Sequence, residues 1–208
     1  TCALPISVAP ACQIRDLGRM RYAEAFALQQ KLVEQRKRGE IADQLLFVEH
    51  PHVVTMGRSG HDENLLAGPE LLERAGIEFH RSDRGGDVTY HGPGQIVGYQ
   101  IFDLREWKRD VVAYVRALEQ VLIDALAEFG IAADREPGAT GVWTSQAAAF
   151  DFETPGPRAK IAAIGVHISR WVTSHGFALN LETDLNYFRY IVPCGLTKPV
   201  TSMRALGA

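Results

Sequence analysis

Apolar residues fall at helical spacing in two long stretches of the chain. Over residues 19–38, Tyr22, Ala25, Phe26, Gln29, Leu32 and Val33 form one stripe, and Gly39 is placed to end the helix. The stronger stripe joins Val111, Val115, Leu118, Leu122, Leu126 and Phe129, with Asp110 as its cap and Gly130 as its stop. A shorter helix is predicted over residues 69–75, with Pro69 near its start and Gly76 at its end. The remaining apolar runs are short and bounded by glycine, proline or polar residues. They predict strands at residues 44–49, 53–56, 77–81, 141–144, 160–168 and 175–181. Asp184 opens a short helix that ends near Tyr190. Strands in runs, broken by a few helices and joined by several hairpin-like turns, predict an α+β fold with a mixed sheet.

The densest conformational signal is Arg84-Gly-Gly-Asp-Val-Thr-Tyr-His-Gly-Pro-Gly-Gln95. Glycine permits backbone positions closed to other residues and proline pins a turn, so Gly85-Gly86 and Gly92-Pro93-Gly94 bracket a short strand-like run. The pattern predicts a hairpin in which residues 87–90 face residues 95–103, with Tyr90 and His91 at its rim. Residues 145–159 contain Pro155-Gly156-Pro157 and read as a surface loop or extended turn. Arg36-Lys37-Arg38 close the first helix, where basic side chains complement the helix dipole; the sharper expectation is a docking patch for an acidic carrier.

Composition narrows the classes. With 208 residues, 46% hydrophobic and 23% charged, the chain fits one globular domain, expected over residues 12–208 with residues 1–11 an uninformative extension. The chain starts without methionine and stops at Ala208 after the start of an element, so a further C-terminal element is expected. A net charge of −3 argues against a dedicated nucleic-acid binder, and no apolar run approaches the roughly 20 residues that span a bilayer. Cys2, Cys12 and Cys194 are odd in number and lack C-x-x-C spacing, which predicts neither disulfides nor zinc and points to the cytoplasm. His50-x-His52 is the only close histidine pair and has no acidic cluster, so no metal site is expected; phosphate-loop and dinucleotide motifs are absent too.

Cys194 is the candidate nucleophile. Pro193 and Gly195 flank it in a turn-forming setting, and a reactive thiol needs a cation, an imidazole or a helix N-terminus beside it. Lys160, Lys198, His91, His167 and His175 are the available partners, and spacing alone does not rank them.

Several motifs, in one order, resemble the octanoyltransferases of protein lipoylation, the lipoate-protein ligase B family. They are the glycine-rich stretch above, Lys160-Ile-Ala-Ala-Ile-Gly165, His175-Gly-Phe-Ala-Leu-Asn180 and Val192-Pro-Cys-Gly195, with Glu49-His-Pro51, Thr55-Met-Gly57 and Asn64-Leu-Leu66 upstream. The resemblance covers residues 17–202; the stretch 145–158 is longer than the family's usual turn. It implies a mixed sheet flanked by helices, like the catalytic domains of biotin and lipoate ligases and class II aminoacyl-tRNA synthetases. It implies transfer of an octanoyl group from acyl carrier protein to a lysine of lipoyl domains, those of 2-oxoacid dehydrogenase complexes and the glycine cleavage H protein, with no cofactor. By resemblance Cys194 is the thioester nucleophile and Lys160 its acid/base partner. Arg84, Gly85, Gly86, Asp87, Val88, Thr89, Tyr90, His91, Ala163, Ile164, Gly165, Gly176, Phe177 and Ala178 are the acyl-binding walls.

The chemistry is consistent with that assignment. Exchange between two thioesters is nearly neutral in free energy and onward transfer to an amine gives a more stable amide, so no ATP is needed. A covalent intermediate splits one hard step into two. A lysine that works as a base needs a site that removes it from water or sets a cation beside it. Ala162, Ala163 and Gly165, continued by Gly176 and Ala178, leave room for a narrow apolar tunnel, with Phe177 facing either the tunnel or the core; close strand packing explains the same small residues. The rivals are an ATP-dependent lipoate or biotin ligase of the same fold, a non-catalytic carrier-binding module, and an unrelated cysteine hydrolase.

Overall fold

The computed structural model describes residues 11–144, 158–192 and 198–208. In chain order the elements are β1 (Cys12–Arg19), α1 (Tyr22–Lys37), β2 (Asp43–Glu49), β3 (Val53–Met56), α2 (Pro69–Arg74), β4 (Glu78–Arg81), β5 (Val88–His91), β6 (Gln95–Ile101), α3 (Val111–Ala127), β7 (Ala133–Glu136), β8 (Ala139–Thr144), β9 (Ala159–Ser169) and β10 (Val172–Asn180). Seven strands form one sheet in the order β1-β2-β6-β10-β9-β8-β7, parallel only between β1 and β2. A small sheet has the order β4-β3-β5 and is also mixed. The fold is α+β, as expected.

The large sheet is covered on both faces. Ala25, Leu32 and Val33 of α1 pack on Leu46, Val48, Val97, Tyr99, Ile101 and Ala178. On the opposite face Leu122 and Leu126 of α3 pack with Val142, Ile161, Ala162 and Leu179. The Asp110 carboxylate accepts from the Ala113 amide at 2.9 Å and caps α3 as read from the sequence. The predicted stripe holds at Leu118, Leu122 and Leu126 but not at its ends. Val111 and Phe129 are exposed, while Tyr114 and Glu119 are buried. Glu119 is inside because it is fully engaged, accepting from Arg116, Arg135 and the Gly141 amide.

Two expectations need correction. The hairpin does not form: β5 pairs with β3 in the small sheet, whereas β6 pairs with β2 and β10 in the large one. The turn between them is a crossing between sheets. Gly94 has φ 77°, and its carbonyl accepts from the Leu181 and Glu182 amides. A Cβ there would meet the Glu182 backbone at 2.8 Å, so the glycine serves this close approach. The basic run does not offer three free cations. Arg36 turns inward to Asp43 at 2.8 Å and Glu106 at 2.7 Å, Lys37 pairs with Glu34, and Arg38 pairs with Glu40. Strands β1 and β7 went unread because each is a sheet edge, β1 mostly exposed and β7 with no buried residue, so neither shows apolar alternation.

Candidate functional site

Strands β9 and β10 build one wall of a slot. They run antiparallel with Ala163 opposite Ala178 and Gly165 opposite Gly176, a ladder of four small residues on one face. The opposite wall is β5 and the segment before it. Arg84, Gly85, Gly86, Asp87, Thr89, His91, Ala163, Ile164, Gly165, Gly176, Phe177 and Ala178 all border this slot, which holds about 470 Å³ of open space counting its mouth. Tyr22, Val97, Tyr99 and His175 complete it; the first three were not read from the sequence as site residues, and His175 only as one available partner of Cys194. Tyr22 had shown itself only as a member of the α1 stripe.

Two proposed wall residues are elsewhere. Val88 and Tyr90 are fully buried in a separate cluster with Val54, Met56, Leu72, Ile77 and Ile191. Alternation along β5 is the reason: Thr89 and His91 face the slot, so their neighbours face away. Ala162 likewise lies in the α3-side core, and Phe177 packs there too, its ring crossing Gly98 of β6. Ile164 joins that same core beside the slot.

Glycines clamp the mobile-looking stretch into a rigid lip. The Gly85 amide donates to the Val166 carbonyl at 2.9 Å, the Gly57 amide to the Asp87 carbonyl at 3.1 Å, and the Arg58 amide to the Arg84 carbonyl at 2.9 Å. A Cβ on Gly57 would meet the Gly86 carbonyl at 2.2 Å, and one on Gly165 the Gly85 carbonyl at 2.9 Å. Those two glycines therefore let the lip touch both sheets. The Arg84 guanidinium donates to the Thr55 carbonyl at 2.7 Å and to the Thr55 hydroxyl, which pegs the lip to β3. Asp87 accepts from the Val88 and His61 amides and from the Asn64 side-chain amide.

A second, smaller compartment adjoins the slot and contains Lys160. Thr89, Ala163 and Ala178 border both, and Gln95, Asn180, Phe188 and Val200 complete it. Lys160 reaches this side because β9 carries a bulge. Val142 pairs with Ala162 and Trp143 with Lys160, which leaves Ile161 as an extra residue and shifts the alternation. The lysine is only 6% exposed, and its ammonium lies 4.8 Å from the centroid of the Trp143 ring. Lys198 sits 5.4 Å from the same centroid and is also paired with Glu136.

A hydrogen-bond chain fixes the imidazole of His91. The Thr201 carbonyl accepts from Asn180 Nδ2, Asn180 Oδ1 from Gln95 Nε2, and Gln95 Oε1 from His91 Nδ1. Each link dictates the next, so the proton of His91 is on Nδ1 and Nε2 keeps its lone pair. Burial pushes this imidazole down to about 3, helped by His50, so it is neutral at neutral pH. The Tyr99 hydroxyl donates to His50 Nε2, because His50 Nδ1 donates to the Met20 carbonyl.

Cys194 lies outside the described residues. The described chain runs to Val192, whose amide donates to the Asn64 carbonyl at 2.8 Å, and Asn64 is the residue that grips Asp87. It resumes at Lys198. The Lys160 amide then donates to the Pro199 carbonyl and the Thr201 amide to the Lys160 carbonyl, both at 2.9 Å.

A mixed sheet with a narrow slot between small-residue strands and a glycine-clamped lip, with a buried lysine at one end, defines a class. The chain belongs to the lipoyl protein ligase A/B catalytic-domain family, whose model matches residues 21–208. Within it, the similar curated relatives are octanoyltransferases. That of Solibacter usitatus is 64% identical over 94% of this chain and 84% of its own length, and that of Koribacter versatilis 54% identical over 92% and 74%. Among solved structures, a lipoate-protein ligase A bound with ATP superposes with a TM-score of 0.66 at 14% identity, over 96% of this chain and 78% of that one. A bi-partite lipoate protein ligase of Thermoplasma acidophilum superposes with a TM-score of 0.67 at 17% identity, over 88% of this chain and 66% of that one. These structural likenesses establish the fold.

Proposed function

We propose that this chain transfers an octanoyl group in protein lipoylation through a thioester on Cys194, with Lys160 as the proton carrier and the slot as the acyl site. The reaction has two halves. The Cys194 thiol loses its proton to Lys160 and attacks the carrier thioester. The carbon–sulfur bond to the carrier breaks, and the departing thiolate takes the proton back. A lysine amine of the acceptor domain then attacks the new thioester, Lys160 accepts the amine proton, and the Cys194 sulfur leaves and is reprotonated. Each half exchanges one acyl bond for another, so no external activation is required.

What supports this reading is the position of Lys160. It is the buried ammonium in the compartment that continues the apolar slot, and the backbone on the C-terminal side of Cys194 is bonded to it at residues 199 and 201. Acyl carrier protein and lipoyl domains are the partners, and the cytoplasm is the compartment suited to a free thiol.

Incubation with octanoyl-carrier protein, without ATP, followed by intact mass measurement tests the reading. The wild type gains one octanoyl group, Cys194→Ala gains none, and addition of lipoyl domain clears the adduct into an amide. Acceptor modification that requires ATP and free octanoate overturns the reading in favour of a ligase.

A further inference from the structure

The slot is bordered by a side chain that strand geometry would have turned away. Along β10, Val172 and Ala178 belong to the α1-side core, whereas Phe177 and Leu179 belong to the α3-side core. By alternation His175 belongs with the latter pair. Its ring is instead on the α1 side, stacked on Phe26 at 5.6 Å and set edge-on to Tyr99 at 6.2 Å. The cause is in the backbone: His175 has φ 58°, a left-handed conformation inside a strand. For a residue other than glycine this costs of order 1–3 kcal/mol, and such positions cluster at functional sites. The ring is 2% exposed, its Nε2 is 2.7 Å from Asp83 Oδ1, and its amide donates to Gln29 at 2.8 Å. It is a wall held from four sides.

We propose that His175 is the end stop that sets acyl-chain length in the slot. The inference rests on the slot being the acyl site. The register supplies a ruler. The compartment of Lys160 meets the slot at Ala163, and three residues further along β9 is Val166, whose partner across the ladder is His175. Three strand residues span about 10 Å. An extended eight-carbon chain measures about 9 Å from its carbonyl. A chain whose carbonyl lies at Ala163, where the Lys160 compartment opens into the slot, therefore ends against the imidazole, with Tyr22 and Tyr99 also bordering the slot.

The test is His175→Gly, which suits the left-handed backbone and removes the ring. Transfer from octanoyl-, decanoyl- and dodecanoyl-carrier protein to lipoyl domain is read by the mass of the acceptor. Each further methylene admitted is expected to raise kcat/KM for the longer chain about fourfold. The decanoyl-to-octanoyl ratio should thus rise about fifteenfold over wild type, and a ratio within twofold of wild type overturns the end stop. Should the glycine variant not fold, His175→Asn, which also tolerates this backbone, gives the same comparison with a smaller expected rise. Wild-type protein that modifies the acceptor from none of these carriers overturns the acyl-transfer reading itself, a different outcome from an unshifted preference.

Discussion

The two faces of strands β9 and β10 are made from the same backbone and do opposite things. The α3 face is filled by Ile161, Ala162, Ile164, Phe177 and Leu179, close-packed with Leu122 and Leu126. The slot face carries Ala163, Gly165, Gly176 and Ala178 and leaves space beside them. One side is packed and the other holds the proposed acyl site. Yet the larger opening is not the slot. A groove of about 1740 Å³, counted in the same way, lies on the α3 side, lined by residues that include Phe47, Ile96, Phe129 and Leu181. Among the described residues, no buried lysine and none of the proposed catalytic or acyl-wall residues borders it. Size therefore does not select the proposed site, which rests on the convergence of Lys160 with the small-residue ladder.

The comparison breaks most sharply at Lys160. Lys160→Ala should lower transfer by about 10²–10⁴-fold, the usual worth of a positioned proton carrier, and leave thermal unfolding within a few degrees of wild type. Steady-state transfer rates together with calorimetry check both. Next come two adjacent residues of β10 that face opposite ways. Leu179→Ala, on the filled face, should cost about 2–5 kcal/mol of stability in denaturant unfolding, while transfer per folded molecule is retained. Ala178→Leu, on the slot face, should do the reverse. Displacing three methylenes of the acyl chain lowers kcat/KM about fiftyfold, while overpacking costs about 1–3 kcal/mol. Similar effects from the two substitutions on both measurements would erase the distinction between the faces.

The smallest effect is a pH dependence. His91 is held down to about 3 by burial, and burial also lowers His50 and His175. Below the ordinary histidine range near 6.5 the unfolded chain binds protons that these folded imidazoles refuse. Stability is then fully present above that range and falls as pH drops toward the folded value, by about 1 kcal/mol per pH unit for His91 alone. Denaturant unfolding between pH 7 and pH 4 should show this slope for the wild type and a shallower one for His91→Gln.

Much of the site was legible because it is periodic. The i, i+2 spacing of Ala163 with Gly165 and of Gly176 with Ala178 marks one face of each strand, and the motif order placed the lip residues from Arg84 to Asp87 beside them. What escaped reading was set by irregularity or by distant pairing. The bulge at Ile161 turns Lys160 toward the slot, and the left-handed backbone turns His175 toward it; neither leaves a compositional trace. Val88 and Tyr90 were included with their neighbours because the motif is contiguous, although alternation separates them. The sheet crossing at Gly94 read as a hairpin because a tight turn between two strands looks the same locally whichever sheet each strand joins. Strand β1 lacks an apolar stripe because it is an exposed edge.

The central claim is that the acyl chain runs through the slot from a thioester on Cys194 toward His175. Its most direct test is an octanoyl-carrier protein whose acyl end bears a photoreactive diazirine, irradiated after loading and mapped by peptide mass spectrometry. The account predicts a hydroxylamine-labile bond at Cys194 and photolabel on the peptides that contain Gly165 and His175 or on Tyr22. Label on Phe129, Leu181 or Met203 in the α3-side groove, or a loaded protein whose Cys194 is unmodified, would contradict it.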